Sequence, residues 1–263
     1  MLFAYSVTSE KGELNMLNKI YAKVIIPILL LVGAATLWAQ GRQGRSSYGA
    51  ANRGTCLALL DSVPVQALDS AEAEGIAFMR EEEKLAHDVY VQLHSKWGLR
   101  VFDNISQSEE RHFDAIKLIL DRYQLPDPAA GSPMGVFRNE GLQTLYGDLI
   151  RQGEGSLTAA LRVGATIEDL DIRDLENAAS ATDNNDLKIV YANLKQASEN
   201  HMRAFIRQLN AAGENYTSQY ISQARLSEIL AAPQRTRMGY GAGGGRQRGL
   251  GRGNNGICPW IQP

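Results

Sequence analysis

A chain of 263 residues in which 44% are hydrophobic and 21% charged has the composition of a globular protein and the length for one or two domains with real cores. Its formal net charge of −2 shows no overall acidic or basic excess. Composition therefore excludes a chain that is disordered throughout, although both ends depart from the average.

The run from Val24 to Ala39 is almost wholly apolar, preceded by Lys19 and Lys23 and followed by Gly41, Arg42 and Gln43. This is the pattern of a bacterial secretory signal, and the run is shorter than the ~20 apolar residues that usually span a bilayer. Leu37-Trp38-Ala39 sets a small residue at the cleavage position, so residues 1–39 are expected to be removed rather than kept as a membrane anchor. Met1 to Asn15 is polar and atypical of a signal, whereas Met16 opens an ordinary n-region at Leu17-Asn18-Lys19 and is the alternative start. Cys56 lies too far beyond the run to be a lipoprotein cysteine. Export to the periplasm, cell envelope or medium permits disulfides, and two readings stand for Cys56 and Cys258: a bridge between the tails, or two unpaired thiols in flexible segments.

Residues 40–55 are rich in Gly, Arg, Ser and Asn and read as a flexible linker. Residues 231–263 form a Gly/Arg-rich tail, in which positions 233–263 hold five arginines and no acidic residue. Such a tail cannot bury enough apolar surface to fold. Its arginines would suit nucleic acid or an anionic surface, but export argues against nucleic acid and favours a solvated tail.

Between these ends the helical period dominates. A first helix is expected over Ser70–Trp97, capped by Asp69 or Ser70 and stopped by Gly98; a second over Asp103–Tyr123, stopped by Leu125-Pro126-Asp127-Pro128. A Pro- and Gly-bearing connection with a short helix near Glu140–Gln152 follows. The third main helix starts at the cap Ser156 and runs to about Ala179, and the fourth covers Asn184–Ala212 with Gly213 as its stop. Tyr216–Leu230 closes the domain with an extended piece and a short helix. The expected fold is all-α, an antiparallel four-helix bundle with a long crossover between the second and third helices, the layout of ferritin-like bundles.

Steps of three and four residues keep side chains on one helix face. On the first helix the seam Ile76, Met79, Glu83, Ala86, Tyr90, Leu93, Trp97 is interrupted by Glu83 alone. On the second, Phe102, Ile105, Glu109, His112, Ile116, Ile119, Tyr123 is interrupted by Glu109 and His112. The fourth gives Leu187, Tyr191, Leu194, Ser198, His201, Phe205. The third is less clean: Leu157, Leu161, Gly164, Glu168, Asp171, Leu175, Ala178 is one seam, but Ile167 and Leu170 compete for the core. Every interruption falls near mid-helix, so in an antiparallel bundle they meet at one level.

A buried carboxylate costs several kcal/mol unless it is paired or bound to a metal, and no lysine or arginine stands on these seams. Divalent cations are the natural partners, and a mixed His/carboxylate set suits iron, manganese or zinc. The candidate metal ligands are Glu83, Glu109, His112, Glu168 and His201, with Asp171 as a sixth. Glu81 and Glu82 read as the exposed charged face, and His87 and His94 as surface residues off the seam.

The runs Phe78-Met79-Arg80-Glu81-Glu82-Glu83-Lys84-Leu85-Ala86, Trp97-Gly98-Leu99, Ser108-Glu109-Glu110-Arg111-His112, Asp121-Arg122-Tyr123 and Asn200-His201-Met202-Arg203-Ala204-Phe205 resemble the uncharacterised DUF2202 family, placed in the ferritin-like superfamily. The resemblance covers about Cys56 to Leu230 and implies no activity of its own. More distantly, Glu83-x-x-Ala86-x-x-x-Tyr90, Glu109-x-x-His112 and Glu168-x-x-Asp171 look like the first three helices of rubrerythrin-type proteins. Their fourth supplies Glu-x-x-His, whereas here Ser198 leaves His201 alone. That departure implies a one-metal or asymmetric centre, filled first on the Glu109 and His112 side unless Asp171 replaces the missing carboxylate.

The leading expectation is an exported metal-binding bundle with one or two iron or manganese ions, acting on oxygen or peroxide as a non-haem oxidoreductase. No organic cofactor is expected. The partners are metal ions and a small oxidant, with a homo-oligomer left open. The rival is an exported helical scaffold that binds another protein or the envelope without redox chemistry. Mineral storage fits less well, since export and long tails do not suit a closed shell.

Overall fold

A computed structural model describes Leu60 and residues 63–232; the apolar run Val24 to Ala39, the linker, both cysteines and the Gly/Arg-rich tail from residue 233 on lie outside the described residues. Among the described residues all regular structure is helical. Helix α1, Ser70–Trp97, opens on a capping box in which the Glu72 amide donates to Asp69 Oδ1 at 2.8 Å and the Asp69 amide donates to Glu72 Oε2 at 3.0 Å. It stops at Gly98, whose φ of 64° is the left-handed conformation glycine adopts without strain. Helix α2, Arg100–Arg122, starts immediately after, three residues earlier than the sequence suggests, because Leu99 serves as its N-cap and Phe102 is already fully buried.

The crossover then carries α3, Glu140–Gly153, capped by the Asn139 side chain. Helix α4, Leu157–Ala181, is capped by Ser156; α5 is Asn185–Ala211, and α6, Gln223–Ala231, is capped by Ser222. At one end of the bundle Asn184, between α4 and α5, donates to Glu72 of α1 at 2.8 Å, and Arg122 of α2 pairs with Asp186 of α5 at 3.1 Å. At the other end Trp97 donates its indole N–H to the Gly153 carbonyl at 2.9 Å, just before α4 begins. Neighbouring long helices are therefore antiparallel all round, and the crossover runs the length of the bundle.

Two apolar clusters fill the interior. Around one end Val89, Tyr90, Leu93, Phe102, Phe205 and Leu209 pack together; around the other, Ile76, Met79, Ile116, Ile119, Leu187 and Leu194. The mid-helix interruptions lie between them as a polar layer.

The crossover also covers the charged side of α1. Arg80 donates to Asp127 through two nitrogens at 3.1 Å and lies over the Phe113 ring. Lys84 donates to the Pro133 carbonyl at 2.7 Å, and Asp88 accepts the Gly135 amide at 2.9 Å. Glu81 accepts the amides of Arg138 and Asn139 at 2.5 and 3.0 Å. The expectation of an exposed Glu81–Glu82 face is thus corrected: each is 3% exposed, Glu81 because the connection that reads as a loop folds back over it and Glu82 because it faces Asp174 and Asp171 of α4. His87 and His94 are partly buried, held by Asp88 and by the Leu99 carbonyl at 3.0 and 3.2 Å. Asp169 is buried as well and gathers the Tyr216 hydroxyl with the amides of Gln219, Tyr220 and Ile221, which fixes the segment between α5 and α6.

Candidate metal centre

Each long helix delivers a side chain to the polar layer because its mid-helix polar position lies on the same stripe as its core residues. Glu83 comes from α1, Glu109 and His112 from α2, Glu168 from α4 and His201 from α5. His112 Nδ1 stands 2.7 Å from Glu109 Oε2 and 3.3 Å from Glu83 Oε2. His201 Nδ1 stands 2.8 Å from Glu109 Oε1 and 3.4 Å from Glu168 Oε2. Two groups result, Glu83 with Glu109 and His112, and Glu109 with Glu168 and His201, each offering three donor atoms within 4.8 Å of one another. Glu109 is common to both, one oxygen toward each imidazole, and the two rings lie nearly parallel with centroids 5.5 Å apart.

These carboxylates and nitrogens are close, yet no contact with hydrogen-bond geometry reaches any oxygen of Glu83 or Glu109. In each group the three ligand atoms lie within 4.8 Å of one another. A cation placed there would satisfy both kinds of donor at once, so the residues fit a metal ion.

The charges tell the same story. Burial pushes the Glu83 carboxyl up to about 7, although His112 opposes it. Burial also acts to raise Glu109, but the charges of His112 and His201 more than reverse this and hold it well below the usual carboxylate range. Burial lowers both imidazoles, and the carboxylates outweigh it: His112 is raised well above its ordinary value by Glu109 and Glu83, and His201 to about 9 by Glu109 and Glu168. Without a metal, imidazolium protons are the positive charge of this layer.

Tyr90, one face-repeat beyond Glu83 on α1, donates its hydroxyl to Glu168 Oε1 at 2.5 Å. Phe205 packs against the Tyr90 ring at a centroid distance of 5.3 Å and fills the space left by Gly164, where an added Cβ would sit 2.4 Å from the Phe205 ring. Close approach of α4 and α5 beneath Glu168 therefore requires glycine at 164. Ser198 occupies the position where a fourth-helix glutamate is missing, and its hydroxyl donates to Asp171 Oδ2. Asp171 belongs to neither three-residue group, but it is buried beside them, and burial with the charges of Glu83, Glu168 and Glu109 raises its carboxyl well above the ordinary value. The structure thus brings Glu83, Glu109, His112, Glu168 and His201 together and sets Asp171 one step away.

Sequence reasoning passed over Glu82 and Asp174. Both lie next to the layer, Glu82 on α1 and Asp174 on α4, and both carboxyls are raised by burial. A run of five charged residues, Arg80 to Lys84, pointing in every direction around one helix was the available sign that α1 has neighbours on all sides.

Comparison with known proteins gives a family but no activity. Residues 72–233 match the model of an uncharacterised protein domain, DUF2202. An uncharacterised protein of Methanocaldococcus jannaschii, MJ0754, is 51% identical over 176 residues, which are 67% of this chain and 95% of that protein. The crystal structure described as that of hypothetical protein MJ0754 from Methanococcus jannaschii aligns with a TM-score of 0.64, covering 65% of this chain and 98% of its own. On the family match and that degree of identity, the chain belongs to the DUF2202 family.

Proposed function

We propose that this chain is an exported protein whose bundle, of the ferritin-like kind, holds one or two iron or manganese ions and acts on oxygen or peroxide. The observation that carries the reading is Glu109, a buried carboxylate that offers one oxygen to each of two His/Glu groups, 2.7 Å from the His112 nitrogen and 2.8 Å from that of His201. Glu83 and His112 would hold an ion on one side of it, Glu168 and His201 on the other. A bound metal supplies charge neutralisation, open coordination positions and a change of oxidation state. The chain's own residues do the rest: the two apolar clusters exclude water, the Tyr90 hydroxyl fixes the rotamer of Glu168 and holds a proton beside it, and His201 forms the edge that meets solvent. Export rests on the run Val24 to Ala39 and its flanks.

Elemental analysis of protein produced in iron- and manganese-supplemented medium, with an absorption spectrum, tests the centre. One or two ions per chain are expected. A well-folded protein that carries none would leave the exported scaffold as the better description. N-terminal sequencing of secreted material tests the export, with a start near Gln40 or Gly41 expected and an intact Met1 or Met16 against it.

A further inference from the structure

One buried carboxyl has no role in the centre as described. Glu82 is 3% exposed, and no donor meets either of its oxygens. The charged side chains that bear on it are acids: Asp174, which meets it by a hydrogen bond, and Asp171 and Glu83, which act through their charges. Two carboxylates in contact are both acceptors, so something positive must stand between them, a proton or a cation.

These acids differ in exposure. The Asp174 side chain keeps 15% of its exposure, Glu82 is buried behind it, and Asp171 feels Glu83, Glu168 and Glu109 at the centre itself. At the outer end Arg173 donates to both Asp174 oxygens at 2.7 and 2.8 Å and lies 4.9 Å over the Tyr220 ring. Its guanidinium is a resident counter-charge that an arriving ion can displace. Such a series offers an ion an approach besides the His201 edge, since the other four converging residues are at most 1% exposed.

We propose that Glu82 and Asp174 form an outer cation station through which a divalent ion passes from the surface, taken up at Asp174 and handed by Glu82 to Asp171 and Glu83. The inference rests on the metal-centre reading above. A station on the path, unlike a ligand at its end, changes the rates of entry and exit together and leaves equilibrium occupancy alone.

The test uses the full mature chain stripped of metal and mixed with Co2+, its uptake followed by stopped-flow absorption and its final occupancy by equilibrium dialysis. Glu82→Gln should load on the order of tenfold more slowly, the scale on which local charge focuses ions, while reaching the native number of ions. Asp174→Asn should move the rate the same way, and carries the test if Glu82→Gln does not fold. Glu110→Gln, an exposed acid of α2, should leave the rate unchanged. Native loading rates in the Glu82 and Asp174 variants would overturn the station and direct attention to the His201 edge. Loss of an ion at equilibrium in Glu82→Gln, or equal slowing by Glu110→Gln, would overturn it too. A native protein that takes up no Co2+ would instead sink the metal centre itself.

Discussion

Glu83, Glu109 and His112 are sealed from solvent and surrounded by their own charges, whereas the group that shares Glu109 with them ends at His201, which keeps an edge in water, and at Glu168, which Tyr90 holds by a hydrogen bond. Ligand types match on the two sides; their surroundings do not. A sealed site holds an ion by enclosure, and an open, hydrogen-bonded one leaves room for exchange and for an incoming small molecule. Sequence asymmetry at Ser198 thus has a structural counterpart, although Asp171, bonded to the Ser198 hydroxyl, returns a carboxylate to that corner from α4.

The strongest way to break the comparison is to remove what both sides share. Glu109→Ala should lose all tightly bound metal, with elemental analysis falling to background. An ion retained at full occupancy would show that the two groups do not depend on Glu109. Next in size are the paired variants Glu83→Ala and His201→Ala, each expected to cost one ion per chain and spare the other, read by calorimetric titration of the metal-free protein. Loss of both ions from either variant would mean a single cooperative site in place of two sides.

A smaller effect comes from protons. Glu83 is raised from 4.5 to about 7, so the metal-free fold keeps a proton there and loses stability as pH climbs through that interval. His201 is raised from 6.5 to about 9, so the stability its charge contributes is complete below the lower value and is lost as pH rises through the higher. Both effects weaken the metal-free protein between about pH 5 and 9, and a cation displaces both protons. The rise in Tm on saturating with metal should therefore be larger at about pH 8 than at about pH 6; an equal or smaller rise would contradict these assignments. The mildest variant sharpens the comparison most. Tyr90→Phe removes the bond to Glu168, and loss of such a supporting bond costs roughly 10- to 100-fold in metal affinity. The drop should fall on the Glu168 and His201 side alone, as two-site titration would show.

Apolar seams made most of this centre readable before any coordinates, because Glu83, Glu109, His112 and His201 each break a stripe that is otherwise core. Glu168 was readable with less force, since Ile167 and Leu170 offered α4 another face, and all three turn out buried. Glu81 and Glu82 were misjudged, and the burial of Asp169 went unread, for a physical reason: local sequence records how charged a helix face is, but not what will fold over it. The amides of Arg138 and Asn139 that bind Glu81 come from a connection with no periodic signal, and the donors around Asp169 come from an irregular segment after α5.

The two-residue link between α1 and α2 has a bearing on how the protein is made. Glu83, Glu109 and His112 all belong to that one helical hairpin, whereas the second group needs Glu109 from the first hairpin and Glu168 and His201 from the other. Closing a hairpin costs little loop entropy, while docking two hairpins across the long crossover is a non-local and slower event. One half of the centre is therefore a local structure that an emerging chain can form early, and the other exists only once folding is complete.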